Sequence, residues 1–359
     1  MSNLRKYNFS PGPAQLPEVV LERVQEQLLN WQSSGSSVLE LSHRGKEFAE
    51  IAASAEANLR KLLGVSDKYA VLFLQGGAST QFATIPMNFA QSKSADYLIT
   101  GNWSKKAFQE AERIASPRTV ADGVGGAYLS IPKQSDWDLD PNAAYLHLAS
   151  NETVGGVQFK EFPKDTAPLV CDMSSDILSR TIDVNDFKLI YAGAQKNLGP
   201  AGVTIVILDK EFAAQAAESG LAKFFSYRTQ IESGSMYNTP PCFSWYVVGE
   251  VLKYNLEVGI ENVHAENNKK SSLLYECIDS SSFYANPIDP IYRSGVNIPF
   301  TLVQPELDAE FLNQAAAQGL INLKGHRSVG GMRASIYNAM PYAGVKALVD
   351  FMQEFERNV

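Results

Sequence analysis

The sequence is poor in cysteine and histidine and has no excess of basic side chains. Its 359 residues include 3 cysteines and 4 histidines, and 39 acidic against 31 basic side chains give a formal net charge of −8. A general nucleic-acid binder needs a basic footprint, so this composition argues against that class of protein. Any anionic ligand must instead be met by a local cluster of basic groups.

Cysteine usage also indicates the compartment. Cys171, Cys242 and Cys277 form no paired framework, and their spacing does not suit zinc. We therefore expect a cytoplasmic protein without a metal site. Long hydrophobic runs are missing too, since the longest have the length of a strand, and residues 1–6 have no apolar core behind them. This pattern predicts no membrane span and no signal peptide.

One lysine stands in unusual surroundings. Lys196 lies in a turn of small residues between two apolar runs, 187–192 and 203–208, which both predict buried strands. A lysine held there is desolvated, and burial disfavours the ammonium form, so its amine becomes a nucleophile at neutral pH. A surface lysine on a glycine-rich loop explains this stretch equally well.

Strands and helices alternate through the first half of the chain. Apolar or β-branched runs predict strands at 69–74, 95–100, 145–149 and 169–172, and helical spacing predicts helices at 82–89 and 105–115. The alternation predicts an α/β fold with a mostly parallel sheet, whose ligand crevice lies at the carboxyl ends of the strands.

Four residues of chemical interest fall at the ends of these predicted strands. Gly76 opens a glycine turn before a helix, which suits a phosphate group but also serves as a plain tight turn. Trp103 can stack on a planar ring, although such a tryptophan more often belongs to the core. Asp172 needs a cation, and Thr153 offers a hydroxyl donor. Together with Lys196 they form the set of groups that a pyridoxal phosphate enzyme requires.

Histidine and arginine stand side by side twice, as His43 with Arg44 and His326 with Arg327. One such pair is usually two solvated residues on a loop. Because the pairing recurs, it is the candidate for the basic cluster that the net charge of −8 requires.

Nine short motifs resemble the phosphoserine aminotransferase family, a branch of the class V pyridoxal-phosphate-dependent aminotransferases. The motifs are SPGP (10–13), SHR (42–44), QGG with QF (75–77, 81–82), GNW (101–103), NET (151–153), CDMSS (171–175), QKNLGPAG (195–202), NTPP (238–241) and GHRSVGGMRAS (325–335). They run from near residue 8 to near residue 343. The last three are specific to this enzyme rather than to its fold.

The resemblance implies a fold and an assembly. We expect fold type I of the pyridoxal phosphate enzymes, with a seven-stranded mixed, mostly parallel sheet in the large domain and a smaller C-terminal α/β domain. The expected division is an N-terminal arm at 1–15, a large cofactor-binding domain at 16–258 and a small domain at 259–359. A homodimer with both active sites at its interface is also implied.

Roles follow for the residues that match the motifs. Lys196 would anchor the cofactor covalently and carry the proton, and Asp172 would keep the ring nitrogen protonated. Trp103 would stack on the ring, and Thr153 would hydrogen-bond the ring oxygen. The cofactor phosphate would be held by Ala78, Ser79 and Gln195, joined by Asn238 and Thr239 from the other subunit. The substrate would be bound by Ser10, His43, Arg44, His326, Arg327 and Arg333, with Arg333 on the α-carboxylate. Many family members carry arginine where Ser79 stands, so only the backbone contribution of Ser79 is carried over.

The implied reaction transfers an amino group between L-glutamate and 3-phosphohydroxypyruvate, giving 2-oxoglutarate and O-phospho-L-serine in serine biosynthesis. In many bacteria the same enzyme also serves the 4-phosphohydroxythreonine step of pyridoxine biosynthesis, and the sequence leaves that role open. The main rival is a cysteine desulfurase of the same fold, which needs a mobile nucleophilic cysteine that none of the three cysteines offers. A cofactor-binding protein without catalysis is the second rival, and the presence of Lys196 and Arg333 counts against it.

Overall fold

The structure is a computed structural model that describes residues 5–123, 128–217 and 220–359. The first four residues of the predicted N-terminal arm therefore lie outside the described residues. Within the described ranges, no helix is both long enough and apolar enough to cross a bilayer.

A mixed sheet of seven strands dominates the described chain. After a short strand β1 (Tyr7–Asn8), its members are β2 (Tyr69–Gly76), β3 (Ser94–Ile99), β4 (Ser116–Asp122), β5 (Leu146–Ala149), β6 (Leu169–Asp172), β7 (Leu189–Gly193) and β8 (Gly202–Asp209). Their spatial order is β2-β8-β7-β6-β5-β3-β4. Strand β8 runs antiparallel to both of its neighbours, and the other adjacent pairs are parallel. The expected fold class, a mixed and mostly parallel sheet of fold type I, is confirmed.

Helices cover both faces of this sheet. In chain order they are α1 (Glu18–Gln27), α2 (Lys46–Leu63), α3 (Ala78–Phe89), α4 (Asn102–Ala111), α5 (Lys210–Ala213), α6 (Tyr227–Glu232) and α7 (Cys242–Val258). Alternate residues of β2 serve opposite faces: Phe73 packs in the core that includes α2 and α7, whereas Leu72 and Leu74 pack in the core that includes α3. A strand buried on both faces reads as a continuous apolar run, which explains the clear signal in the sequence.

The C-terminal part builds a second, smaller unit of strands and helices. It comprises α8 (Ile260–Ser280), β9 (Tyr284–Ala285), β10 (Asn297–Leu302), α9 (Asp308–Ala317), β11 (Leu320–Ile321), β12 (Met332–Ser335) and α10 (Tyr342–Asn358). Strand β10 pairs antiparallel with both β9 and β12. Only Gly259 separates α7 from α8, beside the predicted boundary at 258 and 259, which stays a prediction.

The N-terminal arm belongs with the second unit through its packing. Strand β1 pairs parallel with β11, and Phe9, fully buried, packs in the core formed by α8, α9 and α10. The arm then returns to the large sheet, where the Ala14 N–H donates to the carbonyl of Gln195 at 2.9 Å. One short segment thus contacts both parts of the molecule.

Candidate active site

The carboxyl ends of five strands meet at one edge of the large sheet. Strands β2, β3, β5, β6 and β7 all point the same way, because β8 is antiparallel to both β2 and β7. A cavity of about 220 Å³ opens at this edge. Nine of the predicted site residues line it: Ala78, Ser79, Trp103, Thr153, Asp172, Gln195, Lys196, His326 and Arg333. The sheet therefore brings together residues that are far apart in the chain, as expected at strand ends.

Lys196 is buried in the turn that follows β7. Its side chain is 8% exposed, and its Nζ donates a hydrogen bond to Thr153 Oγ1. Burial lowers the pKa of Lys196 to about 8, and the nearby Asp172 carboxylate opposes this shift. Gly12 allows the approach of the arm, since a Cβ there would lie 3.2 Å from Lys196 Cγ and Gly12 has φ +136°. The amine is therefore both shielded from solvent and reactive near neutral pH.

Asp172 ends β6 at the centre of the site. It is 7% exposed, and its Oδ1 accepts a hydrogen bond from the Ser174 N–H at 2.8 Å. Burial raises the pKa of Asp172, while the Lys196 ammonium and the Ser174 donors lower it. Ser174 is itself fixed, because its Oγ accepts from the Gly193 N–H at 3.0 Å. Asp172 thus presents an acidic group from a rigid turn.

Trp103 lies in the first turn of α4, because this helix begins at Asn102, three residues before the predicted start at 105. The ring centroid lies 5.3 Å from Lys196 Nζ. Trp103 is partly buried, so it forms a wall of the cavity rather than an element of the deep core. The ring-stacking alternative is therefore compatible with its position.

The start of α3 closes another side of the cavity. Only Gly77 separates β2 from α3, so the predicted strand, glycine turn and helix are all present. The first helical residues, Ala78 and Ser79, have backbone N–H groups without an intrahelical acceptor, which suits an anion. Gln195 lies against them, since a Cβ at Gly193 would come within 2.7 Å of Gln195 Oε1 and 3.4 Å of the Ala78 nitrogen.

Arg333 supplies positive charge from the second unit, and His326 lines the same cavity. Arg333 is 6% exposed on β12, and its Nη1 donates to the carbonyl of Thr153 at 3.3 Å. Its Nε has no partner among the described residues. His326 Nδ1 lies 2.7 Å from Ser328 Oγ, and burial together with the charges of Arg333, Arg327 and Lys106 lowers the pKa of His326.

Six predicted residues do not line the cavity of the single chain. They are Ser10, His43, Arg44, Asn238, Thr239 and Arg327. His43 and Arg44 lie in the loop before α2, and Arg327 is exposed beside His326. The Asn238 Nδ2 donates to Gln75 Oε1 at 3.1 Å, one residue before the end of β2. Their roles stay predictions, as do those assigned to the residues that line the cavity.

The sequence reasoning missed three contributors. Gly12 packs on Lys196, Ser174 positions Asp172, and Glu152 is a fully buried carboxylate directly before Thr153. A signal for Glu152 was present, since it is an acid just beyond an apolar strand, as Asp172 is at the end of one. Gly12 lies in the SPGP motif, but the motif assigned it no role, because its partner Lys196 is distant in the chain.

The residues present fit pyridoxal phosphate. The cavity offers a buried amine, a carboxylate opposite it, an aromatic wall and the start of a helix. Arg333 Nε in the same cavity has no partner among the described residues, so we expect it to bind a polar group of an anionic ligand. The chemistry of this donor set matches an aldehyde with a phosphate group, a basic ring nitrogen and an amino-acid co-substrate.

Comparisons with known proteins agree with this site. The family model described as Aminotransferase class-V matches residues 6–348. The chain is similar to the phosphoserine aminotransferase of Nitrosomonas europaea, with 51% identity over 98% of each chain, and to that of Laribacter hongkongensis, with 52% identity over 98% of each. Among solved structures it resembles the phosphoserine aminotransferase from Bacillus circulans subsp. alkalophilus, with a TM-score of 0.96, 49% identity and 99% of each chain covered. It also resembles the pyridoxal phosphate-bound phosphoserine aminotransferase of Trichomonas vaginalis, with a TM-score of 0.93 and 42% identity over 97% of this chain and 100% of that one.

Proposed function

The chain belongs to the class-V aminotransferase family, among the phosphoserine aminotransferases, and from this premise we propose that it transfers an amino group between L-glutamate and 3-phosphohydroxypyruvate. The products are 2-oxoglutarate and O-phospho-L-serine, which places the reaction in serine biosynthesis. The enzyme is a pyridoxal phosphate-dependent transaminase. The observation that carries the proposal is the buried Lys196 amine, which shares one cavity with the Asp172 carboxylate, the Arg333 guanidinium and the His326 imidazole.

Pyridoxal phosphate supplies, when bound, an aldehyde carbon that exchanges amino groups and a ring that accepts an electron pair. We assign its covalent attachment to Lys196. Asp172 would hold the ring nitrogen, and its negative charge would favour the protonated form of that nitrogen. Trp103 would pack on the ring, Thr153 would donate to the ring oxygen, and the N–H groups of Ala78 and Ser79, beside Gln195, would hold the phosphate group.

Lys196 also moves the proton of the reaction. A general base works best when its pKa lies near the working pH, and burial lowers the pKa of Lys196 to about 8. The amine would therefore take the proton from the substrate α-carbon and deliver it to the carbon of the cofactor that receives the amino group. The Arg333 guanidinium holds the α-carboxylate of either amino acid through a planar, two-pronged contact.

The distal anion of the substrate meets the basic cluster. His326 and Arg327 lie next to each other after β11, and we assign to them, with His43, Arg44 and Ser10, the carboxylate of glutamate or the phosphate of the ketoacid. The Arg327 guanidinium favours the doubly charged phosphate over a neutral hydroxyl, and the His326 imidazole can donate a hydrogen bond to it. This preference would distinguish 3-phosphohydroxypyruvate from hydroxypyruvate.

We further propose a cytoplasmic homodimer. Two large hydrophobic side chains in the connection between α1 and α2 support it, since Leu29 is 84% and Leu39 is 59% exposed in the single chain. A second chain covering this region would bring His43, Arg44, Asn238 and Thr239 towards the partner's cavity. The free state of the three cysteines supports the cytoplasmic location.

The proposed reaction is tested by kinetics with paired ketoacids. We expect the purified enzyme to use 3-phosphohydroxypyruvate far better than hydroxypyruvate, and Lys196→Ala to abolish both activities. Arg327→Ala should raise the KM for the phosphorylated ketoacid about 10- to 100-fold, because a charge-assisted contact is lost, and change that for hydroxypyruvate less than about threefold. Arg113→Ala, just past the far end of α4, is the control.

The same assay decides between the alternatives. If Arg327→Ala lowers the activity with both ketoacids equally, the assignment of Arg327 to the phosphate is wrong. If Lys196→Ala remains active, the assignment of Lys196 to the cofactor is wrong. The phosphorylated four-carbon ketoacid of the 4-phosphohydroxythreonine step is the third substrate in the series. We propose that it is used too, because its phosphate and α-ketoacid groups make the same contacts, and the absence of turnover would exclude the pyridoxine role.

A further inference from the structure

Glu152 is a buried carboxylate that the proposed reaction does not use. It is 0% exposed and follows β5, two residues after Ser150 and directly before Thr153. Its Oε2 accepts from the Trp103 N–H at 2.9 Å, and its Oε1 accepts from the Ser104 N–H at 2.9 Å and from Ser104 Oγ at 2.6 Å. All three donors lie in the first turn of α4. Glu152 therefore caps this helix from a different strand.

The turn before α4 is shaped around this carboxylate. A Cβ at Gly101 would lie 2.5 Å from Glu152 Cδ, a distance that real Cβ atoms do not show. The Glu152 carboxylate thus occupies the space that a side chain at Gly101 would need. Ser104 Oγ completes the turn by accepting from the N–H groups of Thr100 and Gly101 at 2.9 and 3.1 Å. These contacts together fix where α4 begins relative to β5.

Electrostatic effects act on Glu152 in both directions. Its pKa is raised on balance, because burial and the Asp172 carboxylate raise it by more than the donors of Ser104 and Trp103 lower it. The positive end of the α4 dipole also faces the carboxylate, which favours the ionised form. Three N–H or O–H donors hold this buried carboxylate. Any shift of α4 would lengthen these hydrogen bonds and leave the carboxylate oxygens without donors, so the position of the helix is restricted.

We propose that Glu152 is a positioning residue that fixes the Trp103 ring over the cofactor. Since Glu152 precedes Thr153, it joins the ring wall and the donor to the ring oxygen into one rigid unit. Its contacts are to the backbone of Trp103 and to Ser104, so it acts through these groups and not on the substrate. The inference rests on the proposed assignment of Trp103 to the cofactor ring.

The test is a double-mutant cycle on the holoenzyme with Glu152→Gln and Trp103→Ala. The glutamine amide has the same shape as the carboxylate but presents an NH₂ group to an N–H or O–H donor. We expect Glu152→Gln to weaken pyridoxal phosphate binding about tenfold, measured by equilibrium dialysis, and to change the visible circular dichroism of the bound cofactor. In the Trp103→Ala background the same substitution should weaken binding less than about twofold.

The outcomes separate this inference from the assignment beneath it. If Trp103→Ala alone leaves affinity and circular dichroism unchanged, the assignment of Trp103 fails. If Trp103→Ala has an effect but Glu152→Gln has none, or has the same effect in both backgrounds, the positioning role fails and the assignment stands.

Two further variants guard against loss of folding. Ser104→Ala removes one donor to Glu152 and the acceptor of the Thr100 and Gly101 N–H groups, so it should lower the thermal unfolding midpoint. Both backbone donors to Glu152 remain, so its effect on the cofactor spectrum should be clearly smaller than that of Glu152→Gln. Gly101→Ala should reproduce the spectral change of Glu152→Gln, because the added methyl group displaces the carboxylate. A lower thermal unfolding midpoint in both with an unchanged cofactor spectrum would show a merely structural role and overturn the proposal.

Discussion

At the scale of single residues, the reactivity of Lys196 results from two opposing effects. Desolvation favours the neutral amine, and the Asp172 carboxylate favours the ammonium form. Desolvation wins, so the pKa falls from 10.5 to about 8. At pH 7 a larger fraction of Lys196 is therefore present as free amine than for an ordinary lysine. The turn after β7 therefore prepares the amine before any cofactor arrives.

We expect the rate at which the cofactor-free protein captures pyridoxal phosphate to rise with pH, with a midpoint near 8. Below that pH the ammonium form is unreactive, and above it the amine is free. Asp172→Asn should move the midpoint down, because the carboxylate raises the pKa of Lys196. Stopped-flow absorbance measures the rate, with Lys196→Ala as the background. A midpoint near 10.5, or an upward shift in Asp172→Asn, would contradict this account.

Sequence patterns identified residues whose chemistry is local. Asp172 and Lys196 stood out because each breaks an apolar context, and the structure places both in one cavity. Glu152 carries the same signal, but its partners Trp103 and Ser104 come from another strand-to-helix turn. The role of Glu152 depends on its contact with the start of α4, so it could not be predicted from the residues around Glu152 alone.

At the scale of elements, one buried lysine ties α8 to the chain after β12. Lys270 is 0% exposed, and its Nζ donates to the carbonyls of Ile336, Tyr337 and Met340 at 3.3, 2.8 and 2.8 Å. These carbonyls lie in the connection between β12 and α10, outside both elements. The lysine thus satisfies backbone acceptors that have left the sheet.

We expect Lys270→Met to lower the free energy of unfolding by about 1 to 3 kcal/mol, because buried carbonyls lose their donor. Urea unfolding followed by circular dichroism measures the change. Lys269→Met is the matched control, since the neighbouring lysine is exposed on the same helix. Similar losses in both variants would show that the buried contacts contribute little.

Elements marked by an apolar run could be predicted, and the two-residue strands could not. Strand β6 has the predicted bounds, 169–172. The start of α4 was placed three residues late, because its cap comes from Glu152 and not from a local residue. Strands β9 and β11 have two residues each, too few for a hydrophobic period.

At the scale of the whole molecule, the N-terminal arm joins the second core to the candidate active site. Phe9 donates its N–H to Ile321 at 3.0 Å, and its carbonyl accepts from Ser335 at 3.3 Å. Three residues later, Gly12 lies against the Lys196 side chain. Packing in the second core is therefore coupled to the position of the amine.

We expect Phe9→Ala to destabilise the protein by about 3 to 5 kcal/mol and also to weaken cofactor binding, because it releases the arm. Phe355→Ala is the matched control: Phe355 is 2% exposed in the same core but lies on α10. It should cost similar stability without the same loss of affinity. Thermal unfolding and equilibrium dialysis, the latter well below the unfolding midpoint, measure the two effects. Equal affinity losses would show that the arm does not transmit the change.

The cavity takes its wall from both ends of the chain, from Gly12 to Arg333. Domains tend to fold from the N-terminus during synthesis. All residues up to Arg333 must nevertheless have left the ribosome before Arg333 can reach Lys196. A nascent chain that has already formed the large sheet still lacks one side of this cavity. The complete cofactor site can therefore form only after Arg333 has emerged from the ribosome. Until then the Lys196 amine lacks one wall of its cavity.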